Sequence, residues 1–238
     1  MNKFWDKILD LMFPKHTTCI VCNNELNHND DIEICDDCKA KLPYANGKTC
    51  ERCGMSISGP ARVCLRCKDG KKTFKRCFAP FDYCDHMIKL VHDLKYNNKK
   101  FSASTFGKML YDCYEDNKFD FDFIIPVPLH ETRFKKRGYN QSELIANNFA
   151  KYVNKQVRTD VLERVKQTST QVGLSYLDRQ ENLKDAFKVT NRKGLKDKVV
   201  LLVDDVFTTG ATASNCSVAL LNAGAKAVYV LCVAHTVV

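Results

Sequence analysis

The sequence predicts an α/β body built on a mainly parallel sheet, preceded by a cysteine-rich module held together by metal. Three observations carry this reading. Val199 to Val203 are five consecutive apolar residues, three of them β-branched, too short for a typical helix and suited to a strand buried on both faces, as in a parallel sheet. From about residue 77 onward, strand-like and helix-like stretches alternate, the pattern of right-handed strand–helix–strand crossovers. Of the 13 cysteines, eight fall into four Cys-x-x-Cys pairs near the N-terminus, a spacing that suits metal better than disulfides.

At 238 residues the chain has room for one α/β domain and a small module. The expected division is an amphipathic helix over 1–16, a cysteine module over 17–76 and the α/β body over 77–238. A hydrophobic content of 45%, without a run of 18 apolar residues, excludes an integral membrane segment. Asp6 and Asp10 interrupt the first apolar residues and no small-residue cleavage site follows, so the expected location is the cytosol. A net charge of +9 favours polyanions such as nucleic acid, or anionic substrates, without choosing between them or excluding a merely solvated basic surface.

Taken in order, Phe4, Trp5, Ile8, Leu9, Leu11, Met12 and Phe13 recur at helical spacing, opposite Lys3, Asp6, Lys7 and Asp10, and Pro14 closes the segment. Such a helix docks on the body, binds a partner or lies peripherally at the inner face of a membrane. The pairs Cys19/Cys22, Cys35/Cys38, Cys50/Cys53 and Cys64/Cys67 follow, separated by 12, 11 and 10 residues. Eight thiolates fit two closed tetrahedral Zn²⁺ shells, which are structural because no position is left for substrate. Consecutive pairing needs the shortest loops; interleaved pairing, and iron–sulfur ligation as the weaker rival, stay open. Residues 39–75 hold little apolar mass, so folding of the module depends on metal. Lysines and arginines from Lys39 to Arg76 decorate it, while Cys77, Cys84, Cys113, Cys216 and Cys232 are expected in the core.

In the body, the pattern predicts a strand over 78–83, a helix through Met87, Leu90, Val91 and Leu94 to about Tyr96, a helix over 101–117 and a strand from Phe121 to a proline-fixed turn at Pro126–Pro128. Residues 129–139 read as a loop presenting Arg133, Lys135, Lys136 and Arg137. A helix over 140–153, a strand around 157–162, a polar segment over 163–178, a helix over 179–185 and a strand over 186–190 come next. The apolar strand, a helix over 212–223 and a last strand over 227–234 complete the body.

Chemistry concentrates where the apolar strand stops. Asp204 and Asp205 stand at its carboxyl end, where open α/β sheets bind ligands. Thr208-Thr209-Gly210-Ala211-Thr212 suits a phosphate, because small residues let backbone N–H groups approach, threonine hydroxyls donate, and a helix N-terminus adds positive charge. Two adjacent carboxylates repel phosphate but accept hydrogen bonds from vicinal hydroxyls. Together they describe a ribose 5-phosphate site. A Walker B strand is excluded: Gly47-Lys48-Thr49 has Leu42 where a P-loop needs its first glycine.

The stretch from Val200 to Thr212 resembles the phosphoribosyl-diphosphate (PRPP) signature of type I phosphoribosyltransferases. That resemblance implies the type I phosphoribosyltransferase fold for the body, Mg²⁺ arriving with PRPP, Arg133 and Arg137 as a pyrophosphate clamp, and a mobile loop over 163–178. Pro126-Val127-Pro128-Leu129-His130, Arg133, the run Arg137 to Leu144, then Arg164, Thr168, Gln171, Leu174, Arg179, Asn182 and Phe187, behind four cysteine pairs, are similar to the ComF (ComFC) competence family. This implies a double zinc ribbon, uptake and handling of single-stranded DNA during natural transformation, and work beside a ComFA-type helicase. Asp204 and Asp205 would then be catalytic. A silent PRPP sensor or single-stranded-DNA adaptor on the same fold, and a nucleobase phosphoribosyltransferase, are the alternatives.

Overall fold

The structure is a computed structural model that describes residues 18–26, 32–45, 47–69, 73–166 and 185–236. The helix expected over 1–16, most of the polar segment over 163–178 and nearly all of the helix over 179–185 lie outside the described residues. In chain order the elements are α1 (Asp36–Lys39), α2 (Leu65–Asp69), β1 (Cys77–Phe78), β2 (Phe81–Asp82), α3 (Asp85–Tyr96), α4 (Ser102–Asn117) and β3 (Phe123–Pro126). They continue with α5 (Glu131–Arg137), α6 (Gln141–Val153), β4 (Leu162–Arg164), β5 (Phe187–Val189), β6 (Val199–Phe207), α7 (Ala211–Asn222) and β7 (Ala227–His235).

The central sheet runs β1-β7-β6-β3, with β2 also on β7, and every pairing in it is parallel. The apolar run therefore sits where its composition demands, in a strand with neighbours on both sides and cover on both faces. Side chains alternate along a strand. Leu201 and Val203 join Ile124, Leu231 and Val233 in one core beneath α3, α4 and α6. Val200 and Leu202 join Phe123, Ile125, Val228 and Val230 in a second core beneath α7.

The predicted strand over 78–83 is divided at Ala79-Pro80, since proline has no N–H to give to a ladder. Phe78 still pairs Leu231 and Phe81 pairs Ala234, so the register runs through the break without a slip. This edge would be open to solvent, and the cysteine module covers it. The Cys77 N–H donates to Arg52 O, the Ala45 N–H to Pro80 O and the Asp82 N–H to Pro43 O, at 2.9, 2.8 and 2.8 Å. A sheet edge protected in this way cannot recruit a foreign strand. The module also feeds both cores: Ile20, Val21, Ile34 and Leu42 enter the first, and Cys50, Cys53, Met55 and Cys67 the second.

Some expectations are corrected. Residues 129–139 are not a loop throughout, because α5 forms there, capped by the His130 side chain, which accepts from the Thr132 N–H, and stopped by left-handed Gly138. The strand expected around 157–162 makes only a parallel bridge, Val157 to Ile124. The chain then leaves the sheet, and β4 pairs β5 in a separate antiparallel ribbon. The apolar strand does not stop before the acids; β6 runs on through Asp204 and Asp205 to Phe207, held by β7 as far as the Phe207–His235 pair. Cys84 and Cys113 are half-buried rather than core, whereas Cys77, Cys216 and Cys232 are buried. Among the described residues no helix is long and apolar enough to cross a membrane.

Candidate functional site

Two sites emerge, one in the cysteine module and one at the carboxyl end of the sheet. Cys19, Cys22, Cys35 and Cys38 form one cluster and Cys50, Cys53, Cys64 and Cys67 another, with the sulfurs of each within 4.8 Å of one another. The ligand sets are therefore consecutive, not interleaved. Zn–S bonds of about 2.3 Å in a tetrahedron separate sulfurs by about 3.8 Å. The Cys22–Cys35 and Cys53–Cys64 sulfur pairs stand 3.7 Å apart, so the cages have the size of a Zn²⁺ shell.

At Cys19 and Cys50 the local backbone favours thiolates, whereas burial raises the Cys38 thiol and the hydrogen bond with Cys67 raises that of Cys53. Burial pushes the Cys19 thiol up, but backbone N–H groups of Cys22, Cys35 and Val21 outweigh it and bring it to about 7. The Cys50 thiol reaches about 7 in the same way, against its burial, through Cys53, Cys64 and Arg52. Donors aimed at sulfur are what a Cys-x-x-Cys knuckle supplies to a metal-bound thiolate. The two clusters are compatible with two Zn²⁺ ions.

The second site is a cleft of about 1060 Å³. Its floor is the end of β6, its walls are the end of α3, the turn after β3 with α5, and β4. Asp204 and Asp205, Arg133 and Arg137, and Thr208 and Thr212 all line it, so sequence-distant predictions meet in one place. Thr209, Gly210 and Ala211 lie behind them, buried. Thr209 Oγ1 accepts from the Ala211 N–H, and Gly210, at φ 76°, turns the chain from strand into α7. The loop is thus shaped by its middle residues and presents its outer threonines.

The acids differ in their surroundings. Asp205 is 4% exposed, and its Oδ1 takes the Lys95 ammonium at 2.9 Å. Its buried Oδ2 has no hydrogen-bond partner among the described residues, an acceptor held ready for a ligand hydroxyl. Asp204 Oδ1 accepts from Ser142 Oγ and from the Asp205 N–H, both at 2.9 Å. Burial, then repulsion from Asp205, raises the Asp204 carboxyl to about 7, against the pull of Lys95 and Ser142. Burial opposes the Lys95 charge, yet Asp205 overrides it and holds the ammonium above its usual range.

Cations and aromatics form the rim. The Arg137 guanidinium lies 5.2 Å from the Tyr96 ring centre and bonds to the Gln141 side chain, and Lys100 stands 4.7 Å over Tyr139. Tyr96 is 65% exposed. Arg164, from β4, is buried at the back, and burial followed by its neighbour Arg133 lowers its pKa. Sequence reasoning missed Lys95, Ser142, Tyr96 and Tyr139 as parts of this site. Ser142 carries one usable signal: Asn140 caps α6 by accepting from the Ser142 N–H and donates to Val127 O, which fixes α6 against the end of β3.

Known proteins match both halves of the chain. The double zinc ribbon domain model matches residues 8–68. Competence protein F of Haemophilus influenzae is 31% identical over 221 residues, covering 89% of this chain and 94% of that protein. The DNA utilization protein YhgH of Escherichia coli is 29% identical over 208 residues, covering 85% and 90%. Competence protein ComFC of Streptococcus pneumoniae is 28% identical over 205 residues, covering 84% and 87%. Among solved structures, a glutamine PRPP amidotransferase from B. subtilis superposes with a TM-score of 0.38 at 20% identity, over 55% of this chain and 25% of that one, a likeness too loose to bear on function. Near-complete coverage at this identity, with both cysteine cages formed, means that this chain belongs to the competence protein F (ComFC) family.

Proposed function

We propose that the cleft binds PRPP and that the protein uses this site while handling single-stranded DNA during natural transformation. One observation carries the reading: Asp204 and Asp205, Thr208 and Thr212, and Arg133 and Arg137 all line one cleft. The acids accept the ribose hydroxyls, with Asp205 Oδ2 already desolvated for the purpose. Thr208 to Thr212 hold the 5′-phosphate at the start of α7, where first-turn N–H groups have no intrahelical acceptor. Arg133 and Arg137 offset the charge of the pyrophosphate. Mg²⁺ bound with PRPP would neutralise pyrophosphate and polarise its departure.

In a transfer reaction the bond from the anomeric carbon to pyrophosphate breaks and positive charge develops on the ribose. Carboxylates fixed beneath that ring stabilise it without reorganising. Single-stranded DNA is supported by the names of the relatives, by the charge of +9 and by the rim, where exposed Tyr96 beside Arg137 combines a stacking face with a cation. In this reading the protein works in the cytosol beside a ComFA-type helicase.

Calorimetric titration of the zinc-loaded protein with Mg-PRPP tests the reading. Saturable binding that falls at least tenfold in Asp205→Asn is expected. Equal affinity in both proteins, or no binding by the wild type, overturns it.

A further inference from the structure

We infer that Lys95 is a built-in cation on the acidic pair, which sets Asp204 and Asp205 to receive hydroxyls and keeps a bare divalent ion off them. Two adjacent carboxylates at the bottom of a cleft ordinarily attract a divalent cation. Here the Lys95 ammonium already holds Asp205 Oδ1 at 2.9 Å, with the lysine side chain 20% exposed and the aspartate side chain 6% exposed.

The contact is built rather than incidental. Lys95 sits in the last turn of α3, where a cation is favoured by the helix dipole. On either side of it the helix is anchored: Leu90, Val91 and Leu94 are fully buried, and Leu94 O accepts from the Tyr139 hydroxyl. Buried Asp93 closes the following turn by taking Asn97 Nδ2 at 2.6 Å and Lys99 Nζ at 2.8 Å. The ammonium is therefore delivered to one place by a rigid element, unlike the cations of the rim.

A fixed positive charge beside Asp205 opposes a second cation there, and a divalent ion that takes both carboxylate oxygens would have to displace the ammonium from Oδ1. A neutral hydroxyl pair meets no such opposition, and Asp205 Oδ2 remains to accept from it. The inference rests on the PRPP reading only for the identity of the hydroxyls. In that reading Mg²⁺ enters with the pyrophosphate, not ahead of it. Lys95 is accordingly a positioning residue, acting through Asp205.

The probe is Mn²⁺ alone, titrated into the zinc-loaded protein at pH 7.5 without PRPP and followed by electron paramagnetic resonance. The wild type is expected to show no saturable site that depends on Asp205, and Lys95→Met to gain one at least tenfold tighter, abolished again in Lys95→Met/Asp205→Asn. Lys95→Gln, neutral but still a donor, covers the case in which Lys95→Met does not fold, and it should gain the same site. Wild-type Mn²⁺ binding lost in Asp205→Asn, or no gain in a folded Lys95 variant, overturns the inference. PRPP titrated into the wild type separates the two readings: a Mn²⁺ gain in the variants with no PRPP binding leaves Lys95 in its role and removes the sugar phosphate.

Discussion

Ser142 Oγ donates to Asp204 Oδ1 at 2.9 Å, joining the first turn of α6 to the end of β6 across 62 residues of chain. The bond favours the carboxylate over the acid, in a place where burial and Asp205 favour the acid. Ser142→Ala should therefore move the Asp204 midpoint further up from about 7 and weaken Mg-PRPP binding about fivefold at pH 7.5, the equivalent of about 1 kcal/mol for one hydrogen bond. Calorimetry at pH 6, 7 and 8 reads both effects.

The raised Asp204 carboxyl also predicts opposite pH trends for stability and for binding. Between its unfolded value of about 4 and its folded value of about 7, the folded protein holds a proton that the unfolded chain releases. The Asp204 contribution to stability thus falls as pH rises through that window and is level above it. PRPP affinity should rise over the upper part of the same window, as the carboxylate becomes the better acceptor. Urea unfolding at pH 5 and 8, and calorimetry across the range, should show both slopes flattened in Asp204→Asn.

Consecutive ligand sets predict what one lost cysteine does. Cys53→Ser should lower the zinc content from two ions per chain to one, leaving the Cys19/Cys22/Cys35/Cys38 cage loaded. Interleaved sets would behave no differently in count, but Cys19→Ser combined with Cys38→Ser separates them: one ion should still remain. Elemental analysis gives the count. Because Cys53 is in the same core as Phe74 and Val230, a lower melting temperature should accompany the loss.

Gly107 lets α4 and α6 approach. A Cβ there would meet Asn148 Cβ at 2.6 Å and the Phe149 backbone nitrogen at 2.8 Å. Alanine normally gains helix stability over glycine by roughly 0.5–1 kcal/mol, but overpacking of about 1–3 kcal/mol wins against backbone that cannot swing away. Gly107→Ala should lower the melting temperature by a few degrees, measured by calorimetry.

If the rim carries single-stranded DNA, Tyr96→Ala should weaken binding of an oligothymidylate by about 1–3 kcal/mol through lost stacking. Arg137→Ala should weaken it too and reduce the slope of log affinity against log salt by about 1. Fluorescence anisotropy at three salt concentrations distinguishes a stacking loss, which leaves the slope alone, from a charge loss.

Local patterning settled a large part of this protein. The run Val199–Val203, the acids, the threonine loop and the four cysteine pairs are each written in adjacent residues, so β6, α7, β7 and the members of the two cysteine clusters were legible from the sequence. The helices α3, α4 and α6 were legible too, because their buried faces recur at helical spacing. The tertiary structure decided what periodicity does not encode. α5 carries no buried residue, so no apolar pattern announced it, and a His130 cap with Gly138 behind it made the helix that aims Arg133 and Arg137. β4 left the sheet because β5 offered it an antiparallel partner, a choice made between segments and not within one. Cysteine spacing left more than one way to divide eight thiolates, and chain path chose the consecutive one. Lys95 and Ser142 looked like ordinary helical residues, and only the packing of α3 and α6 on the end of β6 brought their polar atoms to the two carboxylates. A contact between distant residues is a property of where the chain goes, whereas a strand or a ligand knuckle is a property of its neighbours.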